Sequence, residues 1–124
     1  MNKILIVDDD EEIVSFLEVV LQQKNYQVIT ACNGQEGLKK AKENIPNLAL
    51  VDIMMPIMNG FETIENIRKQ EKWKDLPIIA VTAKALEEDR KKCLEVGAND
   101  YMTKPVDYTV LMKLIKKNLQ KQKA

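Results

Sequence analysis

Five times along this chain a short apolar, β-rich run gives way to a longer stretch of helical periodicity, and that alternation limits the fold more than any other feature. The runs are KILIV over 3–7, YQVITA over 26–31, LALVD over 48–52, PIIAVT over 77–82 and ANDYMT over 98–103. After the first, Ile13, Phe16, Leu17, Val20 and Leu21 recur at helical spacing as far as Asn25, and the acids ahead of them suit a helix N-terminus. Asn33 with Glu36, and Asn59 with Glu62, carry capping-box spacing. The helices they open would bury Leu38 and Ala41, closed by Pro46, and then Phe61, Ile64 and Ile67. A polar loop over 71–75 holds Trp73 as a lid on the core edge. The helix over 86–96 has only Leu86, Cys93 and Leu94 among many charges and stops at Gly97. Asp107 can cap a last helix, buried through Val110, Leu111, Leu114 and Ile115.

Strand–helix alternation without a linker predicts one α/β domain over 1–124, a five-stranded parallel sheet with helices on both faces. The first, third and fourth runs are the most apolar and belong in the centre, which gives the doubly wound, flavodoxin-like order 2-1-3-4-5. The apolar runs are too short to span a bilayer, and the N-terminus leads straight into a strand, so a cytoplasmic domain is expected. Lys+Arg and Asp+Glu balance at 19 each, leaving no net field for nucleic acid or an anionic membrane. The Lys-rich end (Lys113, Lys116, Lys117, Lys121, Lys123) reads as a solvated helix face. Cys32 and Cys93 lack metal-ligand or redox spacing and read as small core residues. There is no histidine, which excludes a Ser-His triad or a His general base within the chain, and Ser15 is the only serine. Carboxylates, Lys and Thr must carry the chemistry.

Taken alone, Asp52 at the end of the third run reads as a cap, a structural hydrogen-bond partner or a reactive group. In a parallel sheet, however, all strand C-termini share one edge. That edge gathers Asp8 and Asp9 after the first strand, Asp52 after the third, Thr82 after the fourth and Lys104 after the fifth. Three carboxylates against one Lys would repel by about 4 kcal/mol per like-charged pair at about 4 Å and an effective dielectric of about 20. Raised carboxylate pKa values would relieve this, but a divalent cation does so better, and hard oxygen ligands suit Mg²⁺, with Mn²⁺ as a substitute. A metal beside Asp52, Lys104 and Thr82 is equipped to hold a phosphoryl group, toward which a carboxylate is a nucleophile.

The segments ILIVDDDEE, LALVDIMMPIMNGFE, PIIAVTAKA and GANDYMTKPVD, in this order and spacing, resemble the receiver domain of bacterial-type two-component response regulators, in its single-domain, chemotaxis-regulator-like form. The resemblance covers essentially the whole chain. It implies that Asp52 accepts a phosphoryl group from a histidine kinase or a His-containing phosphotransfer protein. It implies Mg²⁺ held by Asp9, Asp52 and the Met54 backbone carbonyl, with Asp8 acting mainly through water. Lys104 would pair with phosphoryl oxygens, Thr82 would move to hydrogen-bond one of them, and Tyr101 would be the aromatic switch that turns inward. Lys104-Pro105 would be a cis peptide, Pro56 and Gly60 would shape the loop after Asp52, and Met54 and Lys84 stand where phosphoryl lifetime is tuned.

The expected activity is therefore that of a phospho-acceptor regulator, not an enzyme acting on a separate substrate. It would catalyse only its own Mg²⁺-dependent phosphorylation and slow autodephosphorylation. Because the fourth helix buries little, a phosphoryl group adding about 1.5 to 2 negative charges is expected to bias the face made by that helix, the fifth strand and the fifth helix toward a downstream effector protein. No direct nucleic-acid or membrane contact is expected, and the chain would be a monomer or weak dimer. The competing readings fit less well. A phosphohydrolase working through an aspartyl intermediate needs an acid/base two residues past Asp52, where Met54 stands. A flavin or nucleotide module would seat phosphate where the first loop is acidic. A receiver that signals without phosphorylation is the third alternative.

Overall fold

The computed structural model describes residues 2–55, 58–83 and 86–123, with side chains described as far as Gln120. Pro56 and Lys84 lie outside the described residues. The strands are β1 (Lys3–Val7), β2 (Gln27–Ala31), β3 (Leu48–Asp52), β4 (Ile78–Thr82) and β5 (Asp100–Thr103). They alternate with α1 (Glu11–Gln23), α2 (Gly34–Asn44), α3 (Gly60–Arg68), α4 (Glu87–Glu95) and α5 (Tyr108–Lys123). A 3-10 turn, Glu71–Trp73, precedes β4. All strand pairs are parallel, in the order β2-β1-β3-β4-β5.

The period-2 alternation of the central strands splits the core into two layers. Leu5, Val7, Ala49, Val51 and Ala80 face α2, α3 and α4, where they meet Ile64, Ile67 and Cys93. Ile4, Ile6, Leu50, Ile79 and Val81 face α1 and α5, against Leu17, Leu21, Leu111 and Ile115. Trp73 is a buried member of the first layer. Among the described residues, no helix is long and apolar enough to cross a membrane.

Three expectations are corrected. Phe16 is 51 % exposed and Val110 is 44 % exposed. Each precedes an inward-facing neighbour, Leu17 or Leu111, and one residue along a helix turns the side chain by about 100° away from the sheet. Cys32 is exposed, because it lies just beyond the outer strand β2, with Sγ 3.2 Å from Glu36 Oε2; Cys93 is buried as expected. That contact also takes the Glu36 side chain, so the Asn33 cap consists of Asn33 Oδ1 accepting from the Glu36 amide at 2.8 Å. At α3 both halves of the capping box form: the Glu62 amide donates to Asn59 Oδ1 at 3.0 Å and the Asn59 amide to Glu62 Oε1 at 3.4 Å.

Candidate functional site

Register fixes which residues meet. Val7 is level with Val51 and Asp52 with Val81, so Asp8 emerges beside Asp52 at the carboxyl edge. Thr82 is level with Thr103, and the Lys104 amide donates to the Thr82 carbonyl at 2.8 Å, which holds the start of the last loop against the end of β4. The predicted constellation does converge. Carboxylate oxygens of Asp8, Asp9 and Asp52 lie within 4.8 Å of one another. Lys104 Nζ stands 3.1 Å from Asp8 Oδ2 and 3.4 Å from Asp52 Oδ2.

The triplet Asp8-Asp9-Asp10, indistinct in the sequence, separates into roles. Asp10 caps α1, its Oδ1 accepting from the amides of Glu12 (3.0 Å) and Ile13 (3.3 Å). Asp8 is buried, with Oδ1 accepting the Asp10 amide at 2.9 Å and Oδ2 turned to Lys104, while Asp9 is exposed. Asp52 is buried too, and its Oδ1 accepts the Met54 amide at 3.2 Å. Burial, reinforced by the charge of Asp8, pushes the Asp52 carboxyl up to about 6 against the opposing pull of Lys104. Burial alone would lower the Lys104 ammonium, but the charges of Asp52 and Asp8 outweigh it and leave it above its ordinary value.

Thr82 is buried at the end of β4, and Tyr101 is half-buried on β5, packed against the layer beneath α4. The Lys104-Pro105 peptide is cis. Gly60 opens α3, its amide donating to the Ile53 carbonyl at 3.0 Å. A Cβ there would stand 2.4 Å from the Asp52 carbonyl oxygen and 2.5 Å from Ile53 Cα. Glycine is therefore required for the close approach of α3 to the end of β3.

The donor set fits a hard divalent cation. Among the described residues two buried carboxylates share a single ammonium, a third carboxylate is exposed beside them, and one of the buried acids resists ionisation. Oxygen-only ligands of this kind suit Mg²⁺ and exclude a soft-metal preference.

Comparison with known proteins points to one family. Residues 4–116 match the response regulator receiver domain family. The chain is 46 % identical over 104 residues to the alkaline phosphatase synthesis transcriptional regulatory protein PhoP of Bacillus subtilis, covering 84 % of this chain and 42 % of that regulator. It thus spans less than half the length of that relative. Among solved structures, a CheY-like response regulator receiver domain protein from Methanospirillum hungatei superposes with a TM-score of 0.92 at 36 % identity, covering 99 % of this chain and 97 % of that one. The receiver domain of a Pseudomonas aeruginosa sensor histidine kinase, solved with magnesium coordinated in its active-site cleft, gives a TM-score of 0.88 at 31 % identity over 96 % of this chain and 98 % of that one. With residues 4–116 matching the family, and with its sheet order and acidic edge, this chain belongs to the receiver domains of two-component response regulators.

Proposed function

We propose that Asp52 is the phosphoryl acceptor of a two-component phosphorelay. The observation that carries this reading is the placement of Asp52, buried at the centre of the carboxyl edge, with Lys104 3.4 Å from one oxygen and two further acids beside it. A carboxylate oxygen of Asp52 attacks the phosphorus of a phosphohistidine on a histidine kinase or a His-containing phosphotransfer protein. The P–N bond breaks, its electron pair returns to the imidazole, and an acyl phosphate forms on Asp52. Asp8, Asp9, Asp52 and the Met54 carbonyl are the residues that would hold Mg²⁺ (or Mn²⁺), which when bound supplies charge neutralisation at the transferring group. Lys104, released from Asp8 and Asp52, pairs with phosphoryl oxygens. Thr82, at the adjacent strand end, donates its hydroxyl to one of them, and Tyr101 follows inward.

The protein is a signalling module, not a classical enzyme. The domain promotes its own phosphorylation and slow hydrolysis of the acyl phosphate. Its output is a change in affinity for a cytoplasmic effector protein, through the face formed by α4, β5 and α5. Leu86, Leu94, Tyr108 and Val110 leave exposed apolar surface on α5, on α4 and just before it, which supports this choice of face. Incubation with a small acyl-phosphate donor and Mg²⁺ tests the reading: the parent domain takes up label and Asp52→Asn does not. Label persisting on Asp52→Asn would refute the assignment, and absence of label on the parent would select a receiver that signals without phosphorylation.

A further inference from the structure

The fourth helix is held very unevenly along its length. Its C-terminal half carries the ties to the rest of the fold seen among the described residues. Cys93 is its buried side chain, packed in the layer with Ile64 and Ile67. Lys92 Nζ lies over the Phe61 ring of α3, 4.4 Å from the centroid. Just past the helix, the Gly97 carbonyl accepts two hydrogen bonds from Arg68, at 2.9 Å from Nε and 2.7 Å from Nη2.

Arg68 is a hub. Nη2 also donates to Asn99 Oδ1 at 2.8 Å, and Nη1 donates to the carbonyls of Trp73 (2.9 Å) and Lys74 (3.4 Å). Asn99 Oδ1 in turn accepts the Ile78 amide at 2.8 Å, and the Asn99 amide donates to the Ile78 carbonyl at 2.8 Å. One guanidinium therefore joins the end of α3, the 3-10 turn, the start of β4 and the turn after α4. Gly97 is fitted to it: φ is +118°, and a Cβ would meet Arg68 Cγ at 2.8 Å.

The other end differs. Leu86 occupies the N-cap position without a side-chain hydrogen bond and is 63 % exposed. The first turn holds three acids, and its ion pair, Arg90 Nη1 to Glu87 Oε1 at 3.2 Å, is internal to the helix and exposed. Tyr101 of β5, half-buried, packs against the layer that holds Cys93, and burial raises its phenol first, with groups of α4, Cys93, Asp89 and Glu87, adding to the rise. Arg68 engages the β4 end opposite Thr82, about 13 Å away along the strand.

Resting on the proposed phosphoryl-acceptor role, we infer that α4 responds as a lever pivoting at Gly97, with Arg68 as the post that keeps its C-terminal end fixed. Displacement at Thr82 and Tyr101 then moves the first turn of α4, carrying Leu86 and the acids, while Cys93, Val96 and Gly97 stay in place. Arg68 is a positioning residue, removed from the acidic site and touching no reacting atom. A helix tethered at one end changes the surface beside Tyr101 without repacking the layer below, which is the inexpensive form of a two-state element.

Amide hydrogen exchange of the whole chain, with Mg²⁺ and with or without beryllofluoride as phosphoryl mimic, tests the pivot. In the parent, beryllofluoride is expected to change exchange at Asp89, Arg90 and Lys91 at least about fivefold, leaving Val96, Gly97 and Ala98 within about twofold. In Arg68→Lys, whose single ammonium cannot span four carbonyl acceptors, the Val96–Ala98 amides should exchange about tenfold faster in both states and the gradient along α4 should vanish. Amides of β1 and β3 should not change, and beryllofluoride affinity should stay within about twofold, neither of which holds if Arg68→Lys merely loosens the fold. A uniform response along α4 in the parent, or unaltered exchange at residues 96–98 in Arg68→Lys, would overturn the pivot alone. Failure of beryllofluoride to bind the parent would overturn the functional reading and the pivot with it.

Discussion

Lys104 Nζ lies 3.1 Å from Asp8 Oδ2, closer than the 3.4 Å that separates it from Asp52 Oδ2. One ammonium, with its side chain 17 % exposed, is thus divided between two buried carboxylates and cannot neutralise both. Among the described residues the site holds uncompensated negative charge, and that excess sets its dependence on pH and on cations.

Asp52 should therefore cost the metal-free domain stability. Its carboxyl is pushed up to about 6, so at neutral pH the fold works against its charge. Asn in its place removes the charge and retains an acceptor for the Met54 amide. Asp52→Asn is expected to stabilise the Mg²⁺-free domain by about 2 kcal/mol at pH 7, raising Tm by about 8 °C. Thermal and denaturant melts in chelator check this; a variant less stable than the parent would contradict it.

The same residue predicts a pH window. Between about 4 and about 6 the folded state keeps a proton on Asp52 that the unfolded chain has lost. Its contribution to stability accordingly falls as pH rises through that window and is constant above it. Cation binding runs in the opposite direction, because the proton must leave first. The apparent Kd for Mg²⁺ should rise roughly tenfold per unit as pH drops below about 6 and should be nearly flat above it. Calorimetric titration across the window measures the slope directly.

Gly60 and Asn59 are adjacent but should fail differently. Gly60→Ala sets a methyl 2.4 Å from the Asp52 carbonyl oxygen, a backbone atom that cannot step aside. A loss of about 2 kcal/mol or more is expected, together with slower labelling, since the displaced segment carries Asp52. Asn59→Ala removes the α3 capping box and should cost about 1 kcal/mol while leaving the labelling rate intact. Melts and labelling time courses on both variants separate the two effects.

The sheet order and the identity of the edge residues were legible because both follow from topology. Parallel strands put Asp8, Asp52, Thr82 and Lys104 at one edge whatever the intervening sequence. Side-chain facing was less legible. Phe16 and Val110 satisfy a helical stripe as well as their buried neighbours do, and only the seating of the helix on the sheet excludes them. The division of labour within Asp8-Asp9-Asp10 needed backbone geometry, since capping and site roles use the same residue type. Arg68 left no signal at all. Its partners are backbone carbonyls and one Asn, up to 31 residues away in the chain, and a carbonyl has no sequence signature.

Asp52 itself is expected to take the phosphoryl group, and locating the site of attachment tests this. The domain would be labelled with an acyl-phosphate donor in Mg²⁺, the acyl phosphate trapped by borohydride reduction, and the modified residue located by peptide mass spectrometry. Modification is expected at Asp52 alone, lost when Mg²⁺ is chelated. Modification at Asp8, Asp9 or a hydroxyl side chain, or labelling indifferent to the metal, would contradict it.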